Sequence, residues 1–172
     1  MGNQNSSFKI RDAASGDLAK LSSIKPTEAL HRDRIRDTDG IHLRYMVAEQ
    51  DDTVVGFGLL VFKPPETWPE MEFLPAIVDL YVEPDFRSQG IGTSMISEME
   101  KIALERGCHE IFIGVNPRLN KRAHSLYLRL GYEPLQKEPY LNHWSFTTSA
   151  GDLHEGQEWI IDLRRDLRSA NR

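Results

Sequence analysis

At 172 residues with 40% hydrophobic residues, the chain is long enough for one domain with a core of its own. A formal net charge of -5 argues against general binding to nucleic acid or to an anionic membrane, both of which call for a basic surface. A single cysteine, Cys108, excludes an internal disulfide and suits a reducing, cytoplasmic setting, and no apolar run approaches the length of a membrane span.

In chain order, Met1 to Ser6 fits a short N-terminal acylation pattern, but no polybasic stretch accompanies it, and it reads as a polar, frayed end. Phe8-Lys9-Ile10-Arg11 alternates as a first strand. Asp17 to Ile24 is a short amphipathic helix that Pro26 stops, and Thr27 to Asp37 is a second, half-exposed helix. His42 to Glu49 and Thr53 to Phe62 form a hairpin around Gln50-Asp51-Asp52, with Gly56 and Gly58 marking a bulge or close packing. Lys63 to Pro75 contains four prolines and reads as an exposed loop. Ile77 to Val82 is β-branched and aromatic and ends before Pro84.

After that strand comes Arg87-Ser88-Gln89-Gly90-Ile91-Gly92-Thr93, then a helical stripe of Ile91, Met95, Ile96, Met99, Ile102 and Ala103, with Gly107 at its end. Glu110 to Val115 is a continuous apolar run, hence a buried parallel strand. Asn116 and Pro117 close it. Asn120 to Leu130 is a helix capped by Gly131, and Tyr132-Glu133-Pro134 starts a short strand. Lys137 to Gly156 reads as long and irregular, Trp159 to Leu163 as the last strand, and Arg164 to Arg172 as a charged tail. The domain is thus expected over residues 8 to 165, between polar tails.

A glycine-containing loop between a strand and a helix presents unpaired backbone N–H groups at the positive end of the helix dipole, a natural phosphate site. The lysine of a P-loop and the third glycine of a dinucleotide fingerprint are both missing: Thr93 and Met95 stand there. Arg87-x-x-Gly90-x-Gly92 after Leu80-Tyr81-Val82-Glu83-Pro84 instead resembles the acetyl-CoA signature of the GNAT superfamily of N-acetyltransferases. Asn116, Ala123, Tyr127, Gly131 and Tyr132 extend the resemblance downstream.

The resemblance implies a mixed α/β fold with a central sheet of about seven strands, about four helices, and fourth and fifth strands that splay apart. It implies acetyl-CoA as co-substrate and direct transfer of the acetyl group to a primary amine on a small molecule or peptide. A fold that binds acyl-CoA without turnover, as a sensor, is the alternative. The main chain of Leu80, Tyr81 and Val82 would bind the pantetheine arm. Arg87, Ser88, Gln89, Gly90, Ile91, Gly92 and Thr93 would hold the pyrophosphate, unless Arg87 is a solvated surface charge. Asn116 would contact the pantetheine arm or substrate, or merely end a strand. Tyr127 would be the general acid near the thioester sulfur, with a core position as the alternative.

The general base is open between Asp79, which shares a strand face with Tyr81, and Glu72 at the entrance to the same strand. No metal-ligand spacing links the histidines to Cys108, so no metal is expected. Glu66, Glu70 and Glu72 would favour a cationic amine over nucleic acid as acceptor, and a homodimer is left open.

Overall fold

The computed structural model describes residues 7–62 and 74–168. Its strands are β1 (Phe8–Asp12), β2 (Leu43–Gln50), β3 (Thr53–Val61), β4 (Ala76–Val82), β5 (Glu110–Val115), β6 (Glu133–Pro134), β7 (Tyr140–Thr147) and β8 (Leu153–Asp166). Its α-helices are α1 (Leu18–Ile24), α2 (Glu28–Asp37), α3 (Ile91–Glu105) and α4 (Lys121–Arg129). The strand order is β1-β2-β3-β4-β5-β8-β6, with β7 paired to β8. All pairs are antiparallel except β4 with β5, where α3 makes the crossover.

Both faces of β2 and β3 are largely buried, as their near-continuous apolar sequences require. On β2, Met46 and Ala48 face the core formed with α3 and α4, while Tyr45 and Val47 face α1 and α2. Asp51 and Asp52 both have positive φ, 49° and 57°, giving the β2–β3 hairpin the primed-turn twist that suits right-handed strands. Glu100 of α3 is buried and accepts hydrogen bonds from Tyr132 Oη at 2.8 Å and Arg165 Nη1 at 2.7 Å, tying the helix to β8 and to the chain just after α4.

Two features decide the shape of the functional region. First, β4 carries a bulge. Leu59 pairs with Val78 but Phe57 pairs with Tyr81, so an extra residue stands on β4, and Asp79 has φ +53°. Strict alternation would put Ile77 and Leu80 on opposite faces. The bulge resets the parity: Ile77, Leu80 and Val82 all pack toward α3, while Tyr81 packs toward α2. Second, β4 and β5 pair only at Ala76–Phe112 and Ile77–Ile113. Beyond Ile77 the two strands separate and the β5-facing edge of β4 is left open.

The segment 137–156 departs from expectation. It is not irregular: Tyr140–Thr147 is a full strand, and β8 begins at Leu153, six residues before Trp159. The expected charged tail also remains strand as far as Asp166. Expectation failed because the arm is mostly polar and exposed, with its apolar residues too few and too scattered to give a sustained alternation along the chain. Among the described residues no helix is long and apolar enough to cross a membrane. Glu66, Glu70, Glu72 and most of the proline-rich loop lie outside the described residues.

Gly56 records how closely β3 and β4 approach. A Cβ there would sit 2.8 Å from the Tyr81 carbonyl oxygen. Gly56→Ala is therefore expected to cost about 1–3 kcal/mol through overpacking against backbone, seen as a lower thermal midpoint, while Gly16→Ala, with nothing within 4 Å, leaves the midpoint nearly unchanged.

Candidate active site

The opening between β4 and β5 continues into a cleft of about 890 Å³ that runs from the loop before α3, past α4, to Glu158 and Ile160 on β8. At one end, Gly90 forms the N-cap of α3 with φ +85°, a left-handed conformation that glycine adopts without strain. Among the described residues, none of the backbone N–H groups from Ser88 to Thr93 has an acceptor; the first helical bond is Ser94 N–H to Gly90 O at 2.9 Å. A Cβ on Gly90 would have nothing within 4 Å, and on Gly92 would make only ordinary contact with Val82 and Leu126. The protein's own packing leaves room for close approach to these N–H groups, a geometry that suits a pyrophosphate.

Arg87 is exposed, but its side chain is anchored. Its Nε donates to Val82 O at 2.8 Å, and its guanidinium lies 5.5 Å from the Tyr81 ring centroid, which fixes the turn from β4 into the loop. Sequence reading missed Arg122. From the first turn of α4 its Nη2 donates to Ser88 Oγ, which brings a second guanidinium to the phosphate end of the cleft. The available signal was its place beside Ala123 in the downstream motif, on the polar side of an amphipathic helix.

Asn116 is 5% exposed and its Oδ1 accepts from the N–H groups of Arg118 and Leu119 at 3.1 and 3.0 Å. It ends β5 and lines the cleft at once. Tyr127 is 5% exposed, packs in the main core and also lines the cleft. Burial pushes its phenol up to about 12, so it carries its proton throughout the neutral range.

Asp79 lines the cleft, but its carboxylate already has partners. Lys25 Nζ lies 2.9 Å and Arg34 Nη1 2.8 Å from Oδ2. Burial alone would raise this carboxyl; the charges of Arg34 and then Lys25 outweigh it and hold the group below its ordinary range. The cluster continues inward: the Lys25 carbonyl accepts from His31 Nε2 at 2.9 Å, so neutral His31 Nδ1 accepts from Tyr45 Oη at 2.8 Å. Burial first of all depresses His31, consistent with the neutral form. Neither Lys25 nor Arg34 announced itself in the sequence, because the pairings span 54 and 45 residues.

On the far side of the gap, Asp162 is 8% exposed, its Oδ2 accepts from Tyr140 Oη at 2.8 Å, and burial raises its carboxyl. This residue too was missed, being an isolated acid in an apolar strand. Of the two sequence candidates for the base, Glu72 lies outside the described residues.

The model of the Acetyltransferase (GNAT) family matches residues 9–132. The chain belongs to this family. It is 36% identical over 127 residues to a thialysine N-epsilon-acetyltransferase of Bos taurus, covering 69% of each chain. It is 35% identical over 136 residues to the Mus musculus protein of that name, covering 73% of this chain and 75% of the relative. Its fold is similar to that of yncA, a putative acetyltransferase from Salmonella typhimurium solved with acetyl-CoA, at a TM-score of 0.67 and 17% identity over 93% and 94% of the chains. An N-acetyltransferase from Staphylococcus aureus Mu50 superposes at a TM-score of 0.70 with 18% identity, over 94% and 99%. This GNAT protein is accordingly an acetyl-CoA-dependent N-acetyltransferase, with a mixed sheet opened at β4 and β5.

In this acetyltransferase the ionised Asp79 stabilises the fold above the reference carboxyl pKa of about 3.9, because its folded-state pKa is depressed. That contribution is lost as pH falls through the folded value. Asp79→Asn is expected to lose about 2 kcal/mol at pH 7, between the surface and buried limits for ion pairs. The gap to wild type should close in unfolding titrations as pH drops below about 4.

Proposed function

We propose that this acetyltransferase works by direct transfer, with the donor held mainly by backbone and the acceptor amine entering from the opposite side of the β4–β5 gap. The observation that carries this reading is the set of open N–H groups from Ser88 to Thr93 at one end of a cleft that passes the unpaired edge of β4 and reaches Tyr127.

Acetyl-CoA, when bound, supplies an activated acyl group on a thioester. The chain's own groups divide the remaining work. The N–H groups of Ser88 to Thr93 and the positive end of α3 hold the pyrophosphate, and Arg122 adds charge beside Ser88. Leu80 and the N–H of Val82 on the open edge of β4 align the pantetheine arm as an added strand would, Val82 O being held by Arg87 and the Tyr81 carbonyl facing β3. Asn116 lines the opposite wall. Tyr127 keeps a proton on Oη and gives it to the departing thiolate. The phenol, raised to about 12, keeps its proton at neutral pH, but against a thiol of reference pKa about 8.5 it is a weak acid, so its hydrogen bond to the developing thiolate carries most of its contribution.

Asp79 acts by position. Two cations lower its basicity, so it is a poor proton acceptor; what it does is fix α1 and α2 against the β4 bulge. The acceptor must then reach the gap as a neutral amine by losing its proton to water or to another carboxylate of the acceptor side. The relatives' name points to a primary amine at the end of an aliphatic stem, and we assign this acetyltransferase an acceptor of that type.

Gly92→Asp separates folding from binding. An acid in the first turn favours the helix, so the fold should hold or gain stability. The new charge faces the pyrophosphate, and a like charge there costs several kcal/mol. CoA affinity measured by titration calorimetry should fall more than about a hundredfold; unchanged affinity removes the loop from the donor site.

Tyr127→Phe removes one hydroxyl and leaves the packing. Turnover with any amine acceptor is expected to drop by about 10²–10⁴-fold, the usual range for general acid–base groups, with CoA affinity within about twofold of wild type. A wild-type rate in single-turnover experiments assigns Tyr127 to the core alone.

A further inference from the structure

His31 of α2 is 0% exposed, and the acetyl-transfer steps above give its ring no task. Its Nε2–H donates to the Lys25 carbonyl oxygen at 2.9 Å, and its Nδ1 accepts from Tyr45 Oη at 2.8 Å. Both ring nitrogens are occupied, and this pattern is that of the neutral ring.

Two routes run from this ring to β4. The first is polar. The Lys25 backbone that His31 holds carries a side chain whose Nζ lies 2.9 Å from Asp79 Oδ2. Arg34, one turn after His31 on the same helix, reaches the same oxygen at 2.8 Å. The second route is made of rings. The imidazole meets Phe57 of β3 edge-on, with centroids 5.7 Å apart, and Phe57 stacks on Tyr81 at 5.5 Å. The polar route ends on Asp79 and the ring route on Tyr81. These are the two neighbours of Leu80, which lines the cleft where β4 no longer pairs with β5. A buried ring that fixes both flanking residues also fixes the backbone between them.

A second proton on the ring would disturb both routes. On Nδ1 it turns an acceptor into a donor that faces the Tyr45 hydroxyl hydrogen. The surrounding charges oppose it. Lys25 from the α1–α2 connection and Arg34 from α2 repel an imidazolium, and Asp79 of β4, which attracts it, is already shared by those two cations. Asp17 acts on Tyr45 from further off and is itself paired with Arg11. Burial is the largest effect, and with the two cations it holds His31 below its ordinary range. In enough acid the ring takes the proton, and its present contacts cannot all be kept.

We propose that His31 is a positioning residue for acetyl transfer: the neutral ring holds Asp79 and Tyr81 on either side of Leu80, and a proton on it releases them and slows transfer. This rests on the acetyl-transfer reading above. The N–H groups of Ser88 to Thr93 lie outside both routes, so protonation lowers turnover and leaves donor affinity nearly as it was.

The test follows kcat/KM for thialysine against pH at saturating acetyl-CoA. The acceptor ammonium must lose one proton to react, which alone gives the logarithm of the rate a slope of about one. In wild type His31 adds a second proton below the reference imidazole pKa of about 6.5, and the slope should steepen to about two. Tyr45→Phe removes the donor that serves the neutral ring, so the break should move up by about half to one pH unit. His31→Gln keeps a donor for the Lys25 carbonyl and does not titrate. It should hold a slope of about one throughout and retain more of the neutral-pH rate than His31→Ala. Circular dichroism at each pH checks that the proteins are folded, and the Kd for CoA should stay within about twofold across the break. A wild-type slope that remains near one down to about pH 4, or a break that stays in place in Tyr45→Phe, overturns the proposal. Nuclear magnetic resonance of the CoA-saturated protein gives a readout independent of turnover. The Leu80 amide signal should follow the His31 ring titration with the same midpoint, and a Leu80 signal that ignores it overturns the positioning role even if no amine is acetylated. Failure to bind acetyl-CoA, or to release free CoA with any amine at any pH, instead counts against the acetyl-transfer reading itself.

Discussion

Asp79 stands in the middle of a strand at φ +53°, a conformation that costs a non-glycine residue of order 1–3 kcal/mol. Its ion pairs with Lys25 and Arg34 keep it there. Much of the molecule depends on this one bulge. It turns Leu80 and Val82 toward α3 and Tyr81 toward α2. It lies just past the point where β4 stops pairing with β5. Through its two cations it also places α1 and α2, and α2 in turn holds the tip of the β7–β8 arm through Asp33. A straight β4 would close against β5 and leave neither an open edge for a donor nor a passage for an amine.

The two sides of the cleft are built from different materials. The donor side is largely main chain: N–H groups at the start of α3 and the free edge of β4. Such groups are present whatever the side chains, provided the local φ and ψ values are kept, so the sequence constraint collapses onto a few glycines and the loop that carries them. The other end is lined by side chains of β4 and β8, Asp79 with Glu158 and Ile160, elements far apart in sequence.

Burial gives the site's ionisable groups distinct characters. Tyr127 is raised because only burial acts on it. Asp79 experiences the same penalty, but two cations reverse the outcome. Asp162 has a phenol for a partner and no cation, and it remains raised. Two groups that line the cleft, Tyr127 and Asp79, and a third on β8, Asp162, thus have different proton affinities for reasons that can be assigned to named neighbours.

The sequence by itself determined the elements with strong local signals. The apolar stripe of α3, the β-branched run of β4, the continuous run of β5 and the glycines after Arg87 sufficed for the strand-loop-helix unit. Each depends on residues within a few positions of one another, where periodicity and backbone preference act directly. The arm was not legible, because its strands are weakly buried and their pattern is set by pairing with each other. The roles of Asp79, Arg122 and Asp162 were decided only by the tertiary structure. A carboxylate's proton affinity, like the service a guanidinium performs, depends on which charges come within a few ångströms, and here those partners are 54, 34 and 22 residues away along the chain.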